Sequence, residues 1–433
     1  MTNQTTVRQH DKTSAKYLAQ YAEPEVQSLA SFPAEFTYQH VLVIPAFMES
    51  AQFIERFVKS KLAEQQCLLI VVVNQPDNDF GQQHQQAQID LAQSITAQGE
   101  QLWQQDNLQL VDLCHWTSNK SVNSAILTVD RYHQPIPAEQ GVGLARKIGA
   151  DLAVALYFAG KITSSWVHSS DADAYLPDNY LIAHTDSDVQ GDDKFKSAVA
   201  SCCNFYHYSE NQAIHQANWL YERALRYYVA GLHFAKSPYA YFTIGSTLSF
   251  NMLAYCQARG FPKRSAGEDF YLLNKLAKLG DIVYLADVTI KLDARPSQRV
   301  PFGTGPAVQG IMQLIAQEQD YQYYHPEIFI ELKACLQAFE HLWQEREQPE
   351  QWLTGLSQGA QQALKNIGLL TFIAKQKSAK QAQFNKQLIV WFDSFKTLKF
   401  IHARRDLGLG NIALEQAITA APFSISNEYK KLV

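Results

Sequence analysis

The chain has 433 residues, more than one hydrophobic core usually organises, so two or three domains are expected. Its apolar fraction of 46% is that of an ordinary globular protein, and a net charge of −5 argues against nonspecific nucleic-acid binding by the whole chain. The opening MTNQTTVRQHDKTSAKY is too polar for a secretory signal, and the longest apolar run, near Cys67 to Val73, falls far short of the roughly 20 residues of a spanning helix. Six cysteines (Cys67, Cys114, Cys202, Cys203, Cys256 and Cys335) show no CxxC or zinc spacing, which reads as buried reduced thiols in a cytoplasmic protein. No basic amphipathic run marks a membrane-surface helix, although peripheral association stays open.

Beyond a polar arm over residues 1–37, HVLVIPAFMES begins with a β-branched run, Val41 to Ile44, that stops at Pro45. CLLIVVVNQPDND repeats the plan and ends in a turn cluster of Asn74, Pro76, Asp77 and Asn78. Continuous apolar runs predict strands buried on both faces, and their alternation with helical patterns predicts a parallel sheet. Residues 82–103, rich in glutamine, read as a solvated helix with Ile89, Ala92 and Ile95 on one face. NLQLVDLC is a third strand, and GVGLARKIGADLAVALYFAG a helix with Leu144, Ile148, Leu152 and Ala155 on one side. The next strand delivers Asp171, and a helix is expected from about Pro177. SAVASCCNFYH is a strand, NQAIHQANWLYERALRYYVAGLHFA a long aromatic-rich helix, and TLSFN a short strand. GEDFYLLNKLAKLG is a helix closed by Gly280, and DIVYLADVTIKL supplies one or two strands. DARPSQRVPFGTGPA is a loop, and helical periodicity dominates from about Ala307. The expected fold is α/β: a mostly parallel sheet flanked by helices over residues 38–305, then an α-helical C-terminal region over 306–433.

In an open α/β sheet, ligands bind outside the carboxyl ends of the strands. That edge would gather Pro45, Glu49, the Asn74 turn, Asp171 and Asp173. Neither G-x-G-x-x-G nor G-x-x-x-x-G-K-[ST] follows the first strand, which disfavours a dinucleotide dehydrogenase or a P-loop NTPase. Adjacent carboxylates repel each other, whereas a hard divalent cation joins one or two carboxylates to substrate phosphates. Asp173 with Asp171 therefore reads as a metal–diphosphate site; the bland alternative is a turn acid capping the next helix. Ser265 to Glu268 fits an S-x-x-E capping box, which makes Glu268 a cap partner and leaves Asp269 as a candidate general base for an acceptor hydroxyl. Arg295 and Arg299 could clamp a diphosphate or simply be solvated, and Arg146 near a helix start opposes the dipole, which hints at an anionic neighbour. His168 reads as packing rather than ligating. The aromatics Trp219, Tyr221, Tyr227 and Tyr228 fit a core better than a sugar platform.

Taken in order, four of these pieces resemble family 2 glycosyltransferases of the GT-A fold, over about residues 38–305. VLVIPAFMES is similar to that family's opening strand, GVGLARKIGADLA to its G-x-x-x-A-R-N-x-G helix, SSDADAYLPDNYL to its D-x-D element, and GSTLSFNMLAYCQARGFPKRSAGEDFYLLNKLAKLG to its acceptor segment. The resemblance implies a nucleotide-diphosphate sugar donor, a hydroxyl acceptor and Mg²⁺ or Mn²⁺ held by Asp173. Asp171 would contact the nucleotide sugar, and Pro45, Ala46 and Glu49 would line the nucleotide site. Asp269 would be the base, with Glu268 beside it, in a single displacement that inverts the anomeric carbon. The family's usual D-D-G-S-x-D after the second strand is here VNQPDND, so Asn74 replaces the first acid, and Lys147 stands where Asn is common. Two other readings are a nucleotidyltransferase acting on a sugar phosphate and a non-catalytic binding module. The first normally opens with a Gly-rich basic loop that IPAFMESAQF lacks.

Overall fold

The computed structural model describes residues 3–113, 124–184, 195–295 and 303–425. They form two compact units. One holds the described residues through Tyr208 together with Thr243–Asp293; the other holds Ser209–Phe242 and the described residues from Thr304 onward.

In the first unit the continuous apolar runs become β1 (His40–Ala46), β2 (Cys67–Pro76), β6 (Trp166–Ser169) and β8 (Ala198–Tyr208). The other strands are β3 (Gln101–Gln105), β4 (Leu108–Asp112), β5 (Ala125–Ile136), β7 (Ala174–Tyr175), β9 (Leu248–Asn251) and β10 (Asp281–Asp293). All ten join one sheet in the order β3-β4-β5-β2-β1-β6-β9-β8-β10-β7. Its longest ladders are parallel: β1 with β2, β2 with β5, and β8 with β10. β9 runs antiparallel between β6 and β8. Because β5, β2, β1 and β6 share one direction, their carboxyl ends open on one edge.

Helices of this unit are α1 (Asn3–Gln20), α2 (Gln52–Val58), α3 (Gln82–Thr96) and α4 (Gly141–Phe158). After the segment belonging to the second unit come α6 (Met252–Gln257) and α7 (Glu268–Leu276). α4 is apolar on nearly every face and is buried on nearly every face, as a helix lying between other elements must be. Its Gly149 sits so close to β1 that a Cβ would come 2.4 Å from a Val43 methyl. A polar network anchors α1 to it. Buried Asp151 accepts from Lys147 Nζ (2.8 Å), Tyr17 Oη (2.5 Å), Tyr255 Oη (3.1 Å) and the Glu23 amide (2.8 Å).

The second unit is helical: α5 (Gln212–Phe234), α8 (Thr304–Ala316), α9 (Glu327–Phe339), α10 (Pro349–Leu353), α11 (Gln358–Asn366), α12 (Leu369–Gln376), α13 (Gln381–Trp391), α14 (Ser394–Asp406) and α15 (Leu414–Ala420). A two-stranded ribbon, β11 (Gln322–Tyr323) with β12 (Ile412–Ala413), ties its ends together. Tyr227, Phe329, Leu332, Phe384 and Phe400 lie in one apolar core. Tyr227 is thus core, as its helical spacing suggested, and Tyr228 packs against the same cluster.

The α/β architecture expected from the sequence is the one observed, with a helical C-terminal region. Several local expectations are corrected. The polar arm, for which no element was expected, carries α1, whose Tyr17 is buried. The glutamine-rich helix stops at Thr96 and turns Gln88, Leu91 and Ile95 inward, while Gln101–Gln105 is an edge strand. β1 runs past Pro45 to Ala46, since a proline near a strand end forfeits only one ladder donor. No α-helix starts at Pro177; a turn and a short 3₁₀ segment, Ile182–His184, follow instead. The five described cysteines are buried and free, and Cys114 lies outside the described residues. Among the described residues no helix is long and apolar enough to cross a membrane.

His168 is fully buried and packs between His40 and His184, with ring centroids 6.2 and 5.0 Å away. Burial pushes the His40 imidazole down to about 4 and that of His184 to about 3, each from an ordinary 6.5. Below pH 6.5 the unfolded chain therefore takes up protons that the folded chain refuses, so stability falls as pH drops from 6.5 towards about 4. The melting temperature should decline across that window, and His40→Leu should flatten the decline; an unchanged slope in the variant would assign the acid sensitivity elsewhere.

Candidate active site

The carboxyl edge of the parallel strands carries several of the residues singled out by sequence. β1 ends in Pro45 and Ala46, both buried, and the loop after it holds Glu49, half-buried. Asn74 lies within β2 opposite Arg131, only 5% exposed, and its amide oxygen has no hydrogen-bond partner. A buried acceptor without a partner is costly, so this amide is a candidate to meet a ligand donor. Asp171 and Asp173 lie on the turn that follows β6.

Arg146 projects from the second turn of α4, where only 3% of its side chain meets solvent. Its Nη2 donates to Asp171 Oδ1 at 2.5 Å and its Nε to Glu268 Oε1 at 2.8 Å. Nη1 donates to Ser169 Oγ at 3.0 Å and to the Ser170 carbonyl at 3.1 Å. Burial works against the guanidinium charge, but Asp171 and Glu268 outweigh it and hold the group above its ordinary value. The anionic neighbour that the sequence hinted at is thus two acids. With every nitrogen engaged by protein, Arg146 is placed to hold acids rather than to reach a donor. Ser170 is itself fixed, donating to the Ser246 carbonyl at 2.8 Å.

Two glycines bring Arg146 to this position. Gly143 accepts the loop before α7 so closely that a Cβ would lie 2.5 Å from the Pro262 carbonyl oxygen and 2.6 Å from that of Arg264. Gly245 lies against the guanidinium, where a Cβ would be 2.7 Å from Nη2.

The acids of α7 stand at its first turn, but the capping box does not form. The helix begins at Glu268 itself, its N-cap is Gly267 in the left-handed region (φ 72°), and no side chain caps it. That conformation suits glycine, and it leaves Ser265 too far back to cap. Glu268 turns instead to Arg146. Asp269 Oδ1 accepts the Phe270 amide at 2.7 Å. Burial first, then repulsion from Glu268, pushes the Asp269 carboxyl up to about 7. A carboxylate with that affinity is suited to accept a proton near neutral pH.

Sequence reading missed the residues that brace the acidic turn. Arg56 donates to the Ala172 carbonyl at 2.6 Å and lies 4.1 Å from the Tyr175 ring centroid. Pairing of β7 with β10 sets Asp293 next to Asp173, whose carbonyl accepts the Asp293 amide at 3.0 Å. Nothing in QFIERFVKS distinguishes Arg56 from a solvated helix arginine; only the pairing reveals Asp293. Arg295 is exposed and falls in the second unit, and Arg299 lies outside the described residues.

The donor set bears on which ion this edge could take. Asp173 is half-exposed, Asp171 keeps one oxygen clear of its 2.5 Å contact, and all donors are hard oxygens. Among the described residues no group of three or more His, Cys, Asp and Glu gathers as a protein-only cage. This sparse set fits Mg²⁺ or Mn²⁺, which keep water and bind through one or two carboxylates plus phosphate oxygens, and not a structural zinc.

No family model and no curated protein matches the chain. Among solved structures it is similar to residues 1–349 of S. aureus TarS in complex with UDP, at 11% identity and a TM-score of 0.33, over 85% of this chain and 89% of that one. It is also similar to the mannosyltransferase PcManGT from Pyrobaculum calidifontis in complex with GDP-Man and Mn²⁺, at 14% identity and a TM-score of 0.33, over 93% and 96% of the two chains. A mycobacterial protein aligns at 11% identity and a TM-score of 0.32, over 72% and 83%.

Gly143→Ala should lower the stability of this unit by about 1–3 kcal/mol, the usual cost of overpacking. Urea unfolding would measure it, and a neutral result would mean that the loop at Pro262 yields without resistance.

Proposed function

We propose that the chain transfers a sugar from a nucleoside-diphosphate donor to a hydroxyl acceptor, by single displacement with inversion at the anomeric carbon. The observation that carries this reading is the meeting of two acid pairs at the carboxyl edge of the sheet: Asp171 and Glu268 share one guanidinium, and Asp269 stands beside Glu268 with its carboxyl pushed up to about 7.

Each residue has a part. Asp173, with the remaining oxygen of Asp171, would hold a divalent ion, Mg²⁺ or Mn²⁺. When bound, that ion would neutralise charge building on the departing diphosphate. The Asn74 amide oxygen offers an acceptor to the nucleotide base, and Pro45, Ala46 and Glu49 would line its site. Asp269 takes the acceptor hydroxyl proton onto its carboxylate as the new bond forms. Because one carboxylate serves as base and none as nucleophile, the configuration inverts, by the same logic that separates inverting from retaining glycosidases. Holding donor and acceptor in line supplies roughly 7–11 kcal/mol of the barrier.

Calorimetry against UDP, GDP, ADP and CDP should show binding that requires Mn²⁺ or Mg²⁺, and Asp173→Ala should remove the metal requirement together with most of the affinity. Metal-independent binding that survives the substitution would place the donor elsewhere. Asp269→Asn should leave donor binding intact and cut turnover by roughly 10²–10⁴-fold, the usual loss on removing a general base. Since the base must be ionised, kcat/KM of the wild type should fall as pH drops below about 7, and level off above it. A profile flat from pH 6 to 8 would assign the proton to another group.

A further inference from the structure

We propose that Arg146 couples the two sides of the site, so that a change at Glu268 on the acceptor side alters ligand affinity at Asp171 on the donor side. This deepens the donor reading above and rests on it.

The geometry makes independence difficult. A guanidinium is planar and its nitrogens move together, so a tilt towards one partner is a tilt away from another. Here Nη2 is held by Asp171 at 2.5 Å and Nε by Glu268 at 2.8 Å. The Ser169 hydroxyl and the Ser170 carbonyl pin Nη1, at 3.0 and 3.1 Å, and Gly245 leaves no slack beside Nη2. The three charged groups come from separate elements: the turn after β6, helix α4 and the start of α7. Side-chain exposure is 3% for Arg146 and 6% for Glu268 but 36% for Asp171. Water therefore screens the inner pair weakly and the outer acid more. A cation arriving at Asp171 competes with Arg146 for that carboxylate, and the guanidinium then leans on Glu268. Neutralising Glu268 has the converse effect: the undivided charge of Arg146 tightens on Asp171 and lowers its value to an incoming cation. Arg146 is thus a positioning residue, acting on ligands only through the acids it holds.

The test is a cycle read by calorimetry with Mn²⁺ and the best of UDP, GDP, ADP and CDP. Glu268→Gln should weaken binding about five-fold or more, the lower end of measured site-to-site couplings. In an Arg146→Met background the same substitution should change affinity less than about two-fold, because the shared cation is gone. Arg146→Lys is the second background should the Met variant not fold, since one ammonium lacks the fork that spans both acids. No effect of Glu268→Gln with Arg146 present, or the same effect in both backgrounds, would overturn the coupling. If the wild type binds none of these nucleotides with Mn²⁺, the donor reading fails, and the coupling is then decided by melting temperature. Asp171→Asn and Glu268→Gln together should lower it by more than the sum of the two single shifts, because the pair of changes strands a buried charge. Additive shifts would overturn the proposal.

Discussion

Arg146 keeps a full positive charge where almost no water reaches it, and the arrangement of the site follows from what that charge requires. Removing a cation from water costs several kcal/mol even after relaxation, so the group persists only with close, well-aimed partners. Asp171, Glu268, the Ser169 hydroxyl and the Ser170 carbonyl are those partners. They arrive from a strand end and from a helix start, which fixes where the turn after β6 and the first turn of α7 stand. Such an ion cluster is weak evidence of stability, since apolar replacements often do as well. What it does here is hold one acid of each pair, Asp171 and Glu268, on a single guanidinium.

The sheet supplies that edge. Four neighbouring strands run in one direction, so their carboxyl ends, with the loops that follow, converge without any special device. The glycines of α4 supply the depth. Gly149 lets the helix approach Val43, and Gly143 lets it touch the loop before α7, so that a residue between them on the same helix reaches the sheet end. Ala or a larger residue at either place would separate the layers and with them the acids. Spacing along the helix, sheet direction and buried charge are therefore one constraint expressed at three levels.

Much of this was legible in the chain, for physical reasons that differ from element to element. β1 and β2 hold unbroken apolar runs, Val41–Ile44 and Cys67–Val73, because both faces are covered, and such runs are hard to mistake; β6 and β8 are buried too but admit His168, Ser201 and Asn204. β5 was not anticipated: its second half, DRYHQPI, is polar and partly exposed, and reads as loop until its ladder with β2 is seen. α1 escaped because it is anchored by a tyrosine hydroxyl on a buried carboxylate, which leaves no apolar stripe to read. The two acid pairs could be picked out by spacing alone, but their common partner could not. Arg146 looked like a cation in an unfavourable dipole, and only the fold shows which acids it faces. The capping box failed for an equally local reason. S-x-x-E is a necessary pattern, whereas Gly267 adopts a left-handed conformation and is itself the N-cap, which starts the helix two residues too late for Ser265.

The knot around Asp151 has a consequence for how the polypeptide comes together during synthesis. Tyr17 and the Glu23 amide meet Asp151 across separations of 134 and 128 positions, and Tyr255 closes the group from 104 positions further on. α1 therefore leaves the ribosome long before its last partner exists, and Asp151 and Lys147 must wait, hydrated, for Tyr255 to emerge. Long-range closures of this kind come late and slowly. α1 would then settle only after Tyr255 has emerged, and the nascent chain would expose the Asp151 face of α4 until that point.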